Sequence, residues 1–146
     1  MSSESENPHH LVMHGTAVEL LGTAAILVGP SRSGKSALAL ELMSMGARLV
    51  SDDLIVLRRS GQRLEVAPPP DAPGGIEASG VGILAAESTE RAEVRLIVDL
   101  GLRETERLPP LRRRELLGME VDVVHGAGNR NITAAVLQFL KSGRIA

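Results

Sequence analysis

The stretch "AAILVGPSRSGKSALALELM", Ala24 to Met43, constrains this chain more than any other part of it. Gly29, Pro30, Ser31, Arg32, Ser33, Gly34, Lys35 and Ser36 fit the pattern G-x-x-x-x-G-K-[ST] without a mismatch. The run from Ala24 to Val28 is continuously apolar, as expected of a strand covered on both faces. Good helix formers follow from Lys35 to Met45, and Gly46 stands where a C-terminal cap belongs. Strand, glycine-bearing loop and helix in this order make a phosphate cradle. The glycines let the backbone curl so that successive N–H groups point inward, and the helix adds its positive N-terminal end. Lys35 can then reach the outer phosphates of a nucleotide, and the Ser36 hydroxyl can coordinate Mg²⁺. Arg32 is a further cation that either touches phosphate or faces water.

Around this unit the chain reads as a mixed α/β domain. Residues 1–8 are polar and are expected to form a disordered leader, with one domain over residues 9–146. "LVMHGTAVELLGTAAILVG" divides at Gly15 and Gly22 into two or three short strands. "ARLVSDDLIVLRRSGQRLEVAP" reads as strands with a hairpin turn at Ser60 and Gly61. In "PPPDAPGGIEASGVG" the proline and glycine content predicts a loop without regular structure. "VRLIVDLG" reads as a further strand and "PLRRRELLGM" as a short helix, with Arg112 to Glu115 on its solvated face or docking an acidic partner. Ile132, Ala135, Val136, Phe139 and Leu140 follow helical spacing, with Asn129 or Asn131 as the N-cap.

Composition removes several function classes. Phe139 is the only aromatic residue, so the core must be aliphatic and no stacking platform for single-stranded nucleic acid exists. A net charge of -2 gives no general attraction to phosphate backbones, and nucleic acid is set aside as a partner. With no cysteine there is no disulfide, thiolate metal site or cysteine nucleophile. The N-terminus lacks the basic start of a signal peptide, and the apolar stretch from Leu11 to Val28 is interrupted by His14 and Glu19. A cytoplasmic protein that does not enter the membrane is expected.

"SDD", Ser51 to Asp53, closes the strand after the phosphate-loop helix. A carboxylate there can hold Mg²⁺ or accept the proton of an attacking hydroxyl. Neighbouring residues of an extended strand face opposite ways, so the two aspartates are expected to differ in role. A solvated turn between two strands is the competing reading.

Taken together, His14-Gly15 ahead of the loop, "GARLVSDD" after it and "IEASGVGIL" from Ile76 to Leu84 resemble the catalytic domain of the HPr kinase/phosphorylase family. That resemblance runs from about His9 to Leu100. It implies a variant phosphate-loop kinase domain of the HPr kinase/phosphoenolpyruvate carboxykinase-like type, a mixed sheet with flanking helices. It further implies a kinase that uses ATP and Mg²⁺ to phosphorylate a serine of HPr, a small phosphocarrier protein, with reversal by inorganic phosphate in many members. Hexamers are common in the family. By the same resemblance Lys35 binds phosphate, Ser36 binds the metal with Asp52 and Glu77 in support, and Asp53 takes the serine proton. His14 sits beside the phosphates, and Arg107 in "ETERLPP" matches a functional arginine.

Departures from the family pattern sharpen the reading. Pro30 stands where many members carry aspartate, and Arg32 replaces a small residue. Glu77-Ala78-Ser79-Gly80 lacks the arginine of the family's Glu-x-Arg-Gly, and only Arg130 and Asn131 echo its C-terminal Pro-Gly-Arg-Asn. The family associates both regions with the reverse reaction, so the kinase direction is favoured over the phosphorylase direction. By the resemblance, the short proteobacterial form, without the N-terminal domain of longer relatives, is expected. Two alternatives stand beside the protein kinase. One is a small-molecule kinase with "RETERLPPLRRREL" as an arginine-bearing lid. The other is a nucleotide sensor, a pseudokinase that acts through a partner.

Overall fold

The structure is a computed structural model that describes residues 5–6 and 9–146. Three strands, β1 (Ser5–Glu6), β2 (His10–His14) and β3 (Thr16–Leu20), precede β4 (Thr23–Val28), which runs through the phosphate loop into α1 (Lys35–Ser44). Next come β5 (Arg48–Ser51), β6 (Leu54–Ser60), β7 (Arg63–Ala67), β8 (Gly75–Ala78) and β9 (Gly82–Ala85). β10 (Ala92–Asp99), β11 (Arg112–Leu116), β12 (Met119–His125) and α2 (Ile132–Ser142) complete the chain.

The main sheet follows the order β1-β2-β6-β7-β10-β4-β3-β5, with β12 joining β10 and carrying β11 at its side. β10 lies parallel to β4 and to β12, and the other pairings are antiparallel. One edge of β10 serves two partners: Ala92 and Glu93 pair with β7, while Leu96 to Asp99 pair with β12. The register shift between Val94 and Leu96 makes this possible. Arg95 is the extra residue of a bulge, and a bulge bends its strand.

Side-chain alternation along β4 shows why the sheet has two buried faces. Ala24, Ile26 and Val28 enter one core, which strands alone enclose as the sheet curls. Ala25 and Leu27 enter the other, where α1 contributes Leu38, Ala39 and Leu42 and α2 contributes Val136, Leu137 and Leu140. The Arg95 bulge switches the alternation in β10. Val94 and Ile97 share the first core, whereas Leu96 and Val98 belong to the second. Each fully buried leucine or isoleucine contributes roughly 1.5–3 kcal/mol over the exposed side chain. The expected aliphatic core is realised, and Phe139 is only partly buried at its margin.

Helix α1 ends as its sequence predicts: Gly46 takes φ 109°, and the Ala47 N–H donates to the Leu42 carbonyl. The hairpin at Ser60 and Gly61 also forms, joining β6 to β7. Asn131 is the N-cap of α2, and its N–H is held by the Asn129 side chain.

Three expectations need correction or restriction. "PLRRRELLGM" is not a helix. Arg112–Leu116 is an extended strand paired with β12, and Leu117 and Gly118 at φ 52° and 79° make the two-residue left-handed turn between them. Arginine, leucine and glutamate are good helix formers, but this hairpin extends the sheet and buries Leu116, Leu117 and Val121, which outweighs propensity. Arg112–Glu115 is therefore the outer part of a strand. The proline- and glycine-rich stretch is irregular only in its first half, residues 68–74. Gly75–Ala78 and Gly82–Ala85 form a separate hairpin, and the glycines serve its geometry. A Cβ at Gly75 would lie 2.9 Å from the Leu84 carbonyl oxygen across the pair. Finally, within the expected leader, Ser5–Glu6 pairs with Leu11 and Val12 of β2, while residues 1–4, 7 and 8 lie outside the described residues. Among the described residues, no helix is long and apolar enough to cross a membrane.

Candidate active site

The phosphate loop is shaped by glycine at its two ends. Gly29 adopts φ 144° and Gly34, the N-cap of α1, adopts φ 100°. A Cβ on Gly29 would lie 2.6 Å from the Ser33 hydroxyl and 3.1 Å from the Gly101 nitrogen, so only glycine fits. The Ser33 N–H donates to the Pro30 carbonyl at 3.1 Å, closing the loop. Arg32 also lies in the left-handed region, at φ 67°, and is exposed at the crest of the loop with Ser31. Lys35 folds back so that its ammonium donates to the carbonyls of Gly29 at 2.7 Å and Pro30 at 3.0 Å.

Asp52 is the point on which three elements converge. Its Oδ1 accepts the hydroxyls of Ser36 at 2.8 Å from α1 and Thr16 at 2.9 Å from β3. Its Oδ2 accepts the Glu77 N–H at 3.1 Å from β8. The carboxylate is thus oriented on both oxygens. Asp53 is built differently. It stands at φ 74°, and the Leu54 N–H donates back to the Asp52 carbonyl at 2.9 Å, so Asp53 is the centre of a tight three-residue turn. Turns of this hand are rare and strained for a residue with a Cβ. The backbone around it is overdetermined. Its carbonyl accepts the Gly15 N–H at 3.1 Å and its N–H donates to the Thr16 hydroxyl at 3.3 Å. Its carbonyl also meets His14 Nδ1 at 3.3 Å. The Ser51 hydroxyl clamps the same turn by donating to the Leu54 carbonyl at 2.6 Å.

"SDD" takes up the connection from β5 to β6, and both aspartates face one cleft. That cleft, of ≈620 Å³, also holds Lys35, Ser36, Thr16 and Glu77, with Asp71 and the prolines 69, 70 and 73 along its rim. Lys35 stands against Asp52, Asp53, Asp71 and Glu77, so the cleft carries an excess of negative charge. Hard oxygen donors in such a setting suit a divalent cation of the magnesium type, which takes one or two carboxylates and fills its shell with water and phosphate oxygens. Ser36 and Asp52 are the residues that fit this group. Among the described residues no cluster of three or more His, Asp or Glu forms a dedicated metal cage. The Ser33 hydroxyl, buried inside the loop, has no hydrogen-bond partner among the described residues.

Not every residue singled out in the sequence reaches this cleft. His14 is exposed and braces the backbone of Asp53, with no hydrogen bond to the phosphate loop. A carbonyl can only accept, so Nδ1 carries the proton if this contact is a hydrogen bond. Glu77 reaches the site through its backbone, while its side chain is exposed along the cleft. Arg107 does not line the cleft; it lines another cavity, formed by the 103–109 loop, the end of β12 and α2. The segment considered as an arginine-bearing lid leads into β11, and none of its arginines lines the cleft of Asp52 and Asp53. Thr16, fully buried and bonded to both aspartate positions, was missed. Its only sequence signal was its place two residues after His14.

Ion pairs with perturbed carboxylates lie outside the cleft. Arg48 hydrogen bonds hold Glu19 below the usual carboxylate range at the far end of β3, and Arg112 does the same for Glu104.

Comparison with known proteins places this geometry. The family model described as HPr Serine kinase C-terminal domain matches residues 7–125. An HPr kinase/phosphorylase from Nitrosomonas europaea is 32% identical over 143 residues, covering 86% of this chain and 44% of that protein. One from Polaromonas naphthalenivorans is 37% identical over 141 residues, covering 85% of this chain and 44% of that protein. The chain thus spans less than half the length of these curated relatives. The solved structure of the Hpr(Ser) kinase/phosphatase from Coxiella burnetii superposes with a TM-score of 0.74 at 24% identity, covering 89% of this chain and 88% of that one, and shows that the fold is shared. With the family model matched over most of its length, the chain belongs to the HPr serine kinase C-terminal domain family.

Proposed function

We propose that this domain transfers the terminal phosphoryl group of ATP, with Mg²⁺, to a serine hydroxyl of an HPr-type phosphocarrier protein. The observation that carries the proposal is the convergence of the phosphate loop, Asp52 and the strained Asp53 on one open cleft. Loop N–H groups and the N-terminus of α1 receive the phosphates. Lys35 exchanges the Gly29 and Pro30 carbonyls for phosphate oxygens. Ser36 and Asp52 hold the metal, which when bound neutralises charge on the phosphates. Asp53, whose carboxylate is exposed, accepts the proton of the incoming serine hydroxyl, since serine at its ordinary pKa is a weak nucleophile. Glu77 flanks the metal side of the cleft, and His14 acts by holding the Asp53 backbone.

The nucleoside leaves in the opposite direction from the aspartates. A groove of ≈360 Å³ on that side of α1 is lined by Ser33, Gly34, Ala37, Leu38, Leu100 and Ile132 among others, and it contains no aromatic residue. The base rests there on aliphatic side chains. An open cleft, with no arginine in its lining among the described residues, suits a protein substrate better than a small molecule.

The test uses γ-labelled ATP, Mg²⁺ and an HPr-type carrier, with wild type beside Asp53→Asn. Label should appear on a carrier serine and fall by at least about 100-fold in the variant. Clear ATP binding with no transfer to the carrier would overturn the proposal and favour the nucleotide sensor.

A further inference from the structure

The cavity that receives Arg107 is separate from the cleft of Asp52 and Asp53 and adjoins the nucleoside groove at Gly128 and Ile132. It measures ≈390 Å³, within the range of small-molecule sites, and is bounded by the 103–109 loop, the end of β12 and the first turns of α2. Its lining combines apolar side chains, Val124, Ile132, Val136 and Phe139, with Arg103, Arg107 and His125.

Three observations show a built site. First, the side chains of Arg103 and Arg107 make no hydrogen bond or ion pair among the described residues. Second, the backbone is shaped around one of them. Gly128, at φ 71°, lies so close to the Arg103 guanidinium that a Cβ there would sit 2.5 Å from Nη2 and 2.8 Å from Cζ. Third, the loop is fixed in place. Glu104 accepts two hydrogen bonds from Arg112, at 3.0 and 2.9 Å, and the Pro109 carbonyl accepts one from Arg144. Arg103 bridges to Gly126, and the Ala127 N–H donates to the Leu102 carbonyl at 3.0 Å. Glu104 is neutralised by its own arginine. Glu106 is then the remaining carboxylate of the lining, and its charge is felt by Arg112, against the two guanidinium groups of Arg103 and Arg107.

We infer that this cavity is a second ligand site, for a small organic anion whose carboxylate or phosphate meets Arg103 and Arg107 and whose apolar body rests on Ile132 and Phe139. A guanidinium fork matches either anion. None of these residues lines the cleft of Asp52 and Asp53, although Ala127, Gly128, Asn129 and Ile132 also border the groove assigned above to the nucleoside.

The protein supplies its own reporter. Phe139 is the only aromatic residue besides four histidines, so its ring protons are readily followed by NMR in the intact chain. Titration with phenyl phosphate and, separately, with benzoate should shift the Phe139 ring saturably at roughly millimolar concentration or below. Phenol and inorganic phosphate should be at least about tenfold weaker at that ring, since each lacks one half of the match. Arg107→Gln, on the exposed loop, should weaken the aryl anions at least about tenfold, and Arg103→Gln likewise. Lys35→Ala, in the phosphate loop, should change nothing at Phe139. Unchanged methyl and histidine resonances establish that a variant is folded, and Arg107→Gln carries the test if Arg103→Gln is not. No saturable shift, equal binding of phenol, indifference to Arg107→Gln, or loss of the signal in Lys35→Ala would each overturn the inference. A response to only one of the two aryl anions decides between phosphate and carboxylate as the recognised group.

Discussion

The conformation of Asp53 sets a conflict between stability and chemistry that one pair of substitutions resolves. At φ 74° an L-residue is held where the Cβ crowds the backbone, at a cost of about 1–2 kcal/mol, somewhat less for aspartate than for most residues. The contacts that impose it are made by the backbone: the Gly15 N–H and His14 on the carbonyl, the Thr16 hydroxyl on the N–H, and the turn bond from Leu54 to Asp52. The carboxylate itself is exposed and accepts no hydrogen bond among the described residues. Asp53→Gly and Asp53→Ala therefore remove the same carboxylate and keep the same backbone contacts. Glycine relieves the strain but adds about 0.5–1 kcal/mol of chain entropy in the unfolded state. Asp53→Gly should consequently be as stable as the parent or more stable, by up to about 1 kcal/mol. Asp53→Ala should fall below Asp53→Gly by about 1 kcal/mol, which corresponds to about 2–4 °C in Tm for a domain of this size. Urea midpoints at unchanged slope measure both. Phosphoryl transfer should be lost equally in the two, so the strain serves the carboxylate and not the fold. An alanine variant as stable as the glycine variant would show that the turn is unstrained, and the reasoning from conformation to function would fail with it.

Two further outcomes follow from the same contacts. Glu19 is buried and doubly hydrogen-bonded by Arg48, at 3.0 Å on each oxygen, which holds its carboxyl below the ordinary value of 4.5. Its stabilisation is therefore complete above that value and lost as pH falls through the lowered one. Glu19→Gln should cost about 1–2 kcal/mol at neutral pH and flatten the acid limb of a stability profile recorded by urea denaturation. Gly29→Ala should cost about 1–3 kcal/mol from the clash with Ser33 and Gly101, and calorimetry with tripolyphosphate should show phosphate binding abolished.

The parts of the site written in contiguous residues could be read before any fold was known. Eight consecutive residues specify the phosphate loop, because curling N–H groups around an anion is a local property of glycine placement between a strand and a helix. The β6–β7 hairpin and the cap at Gly46 are equally local. Asp52 and Asp53 could be named as candidates, but their division of labour could not. It depends on Ser36, Thr16 and Glu77, residues 16, 36 and 25 positions away, meeting the same carboxylate. Thr16 had no pattern of its own to betray it, since a buried threonine in a strand is unremarkable until its partners are seen.

The misread elements share a cause. "RRREL" has helical propensity, and only the presence of β12 as a partner, with the left-handed turn at Leu117 and Gly118, makes extension the better state. In "GGIEASGVGIL" the glycines signalled irregularity, yet Gly75 is needed because the Leu84 backbone approaches it. The surroundings of Arg107 were also invisible, since its cavity is assembled from the 103–109 loop, β12 and α2. By itself, then, the sequence determined a G-x-x-x-x-G-K-S loop between a strand and a helix, two adjacent carboxylates downstream and an aliphatic core, all consequences of side-chain chemistry over short range. Tertiary structure alone decided which carboxylate is tied down and which is strained and free, and which arginines turn away from the cleft. Those outcomes depend on long-range strand pairing, whose free energy no short stretch of chain contains.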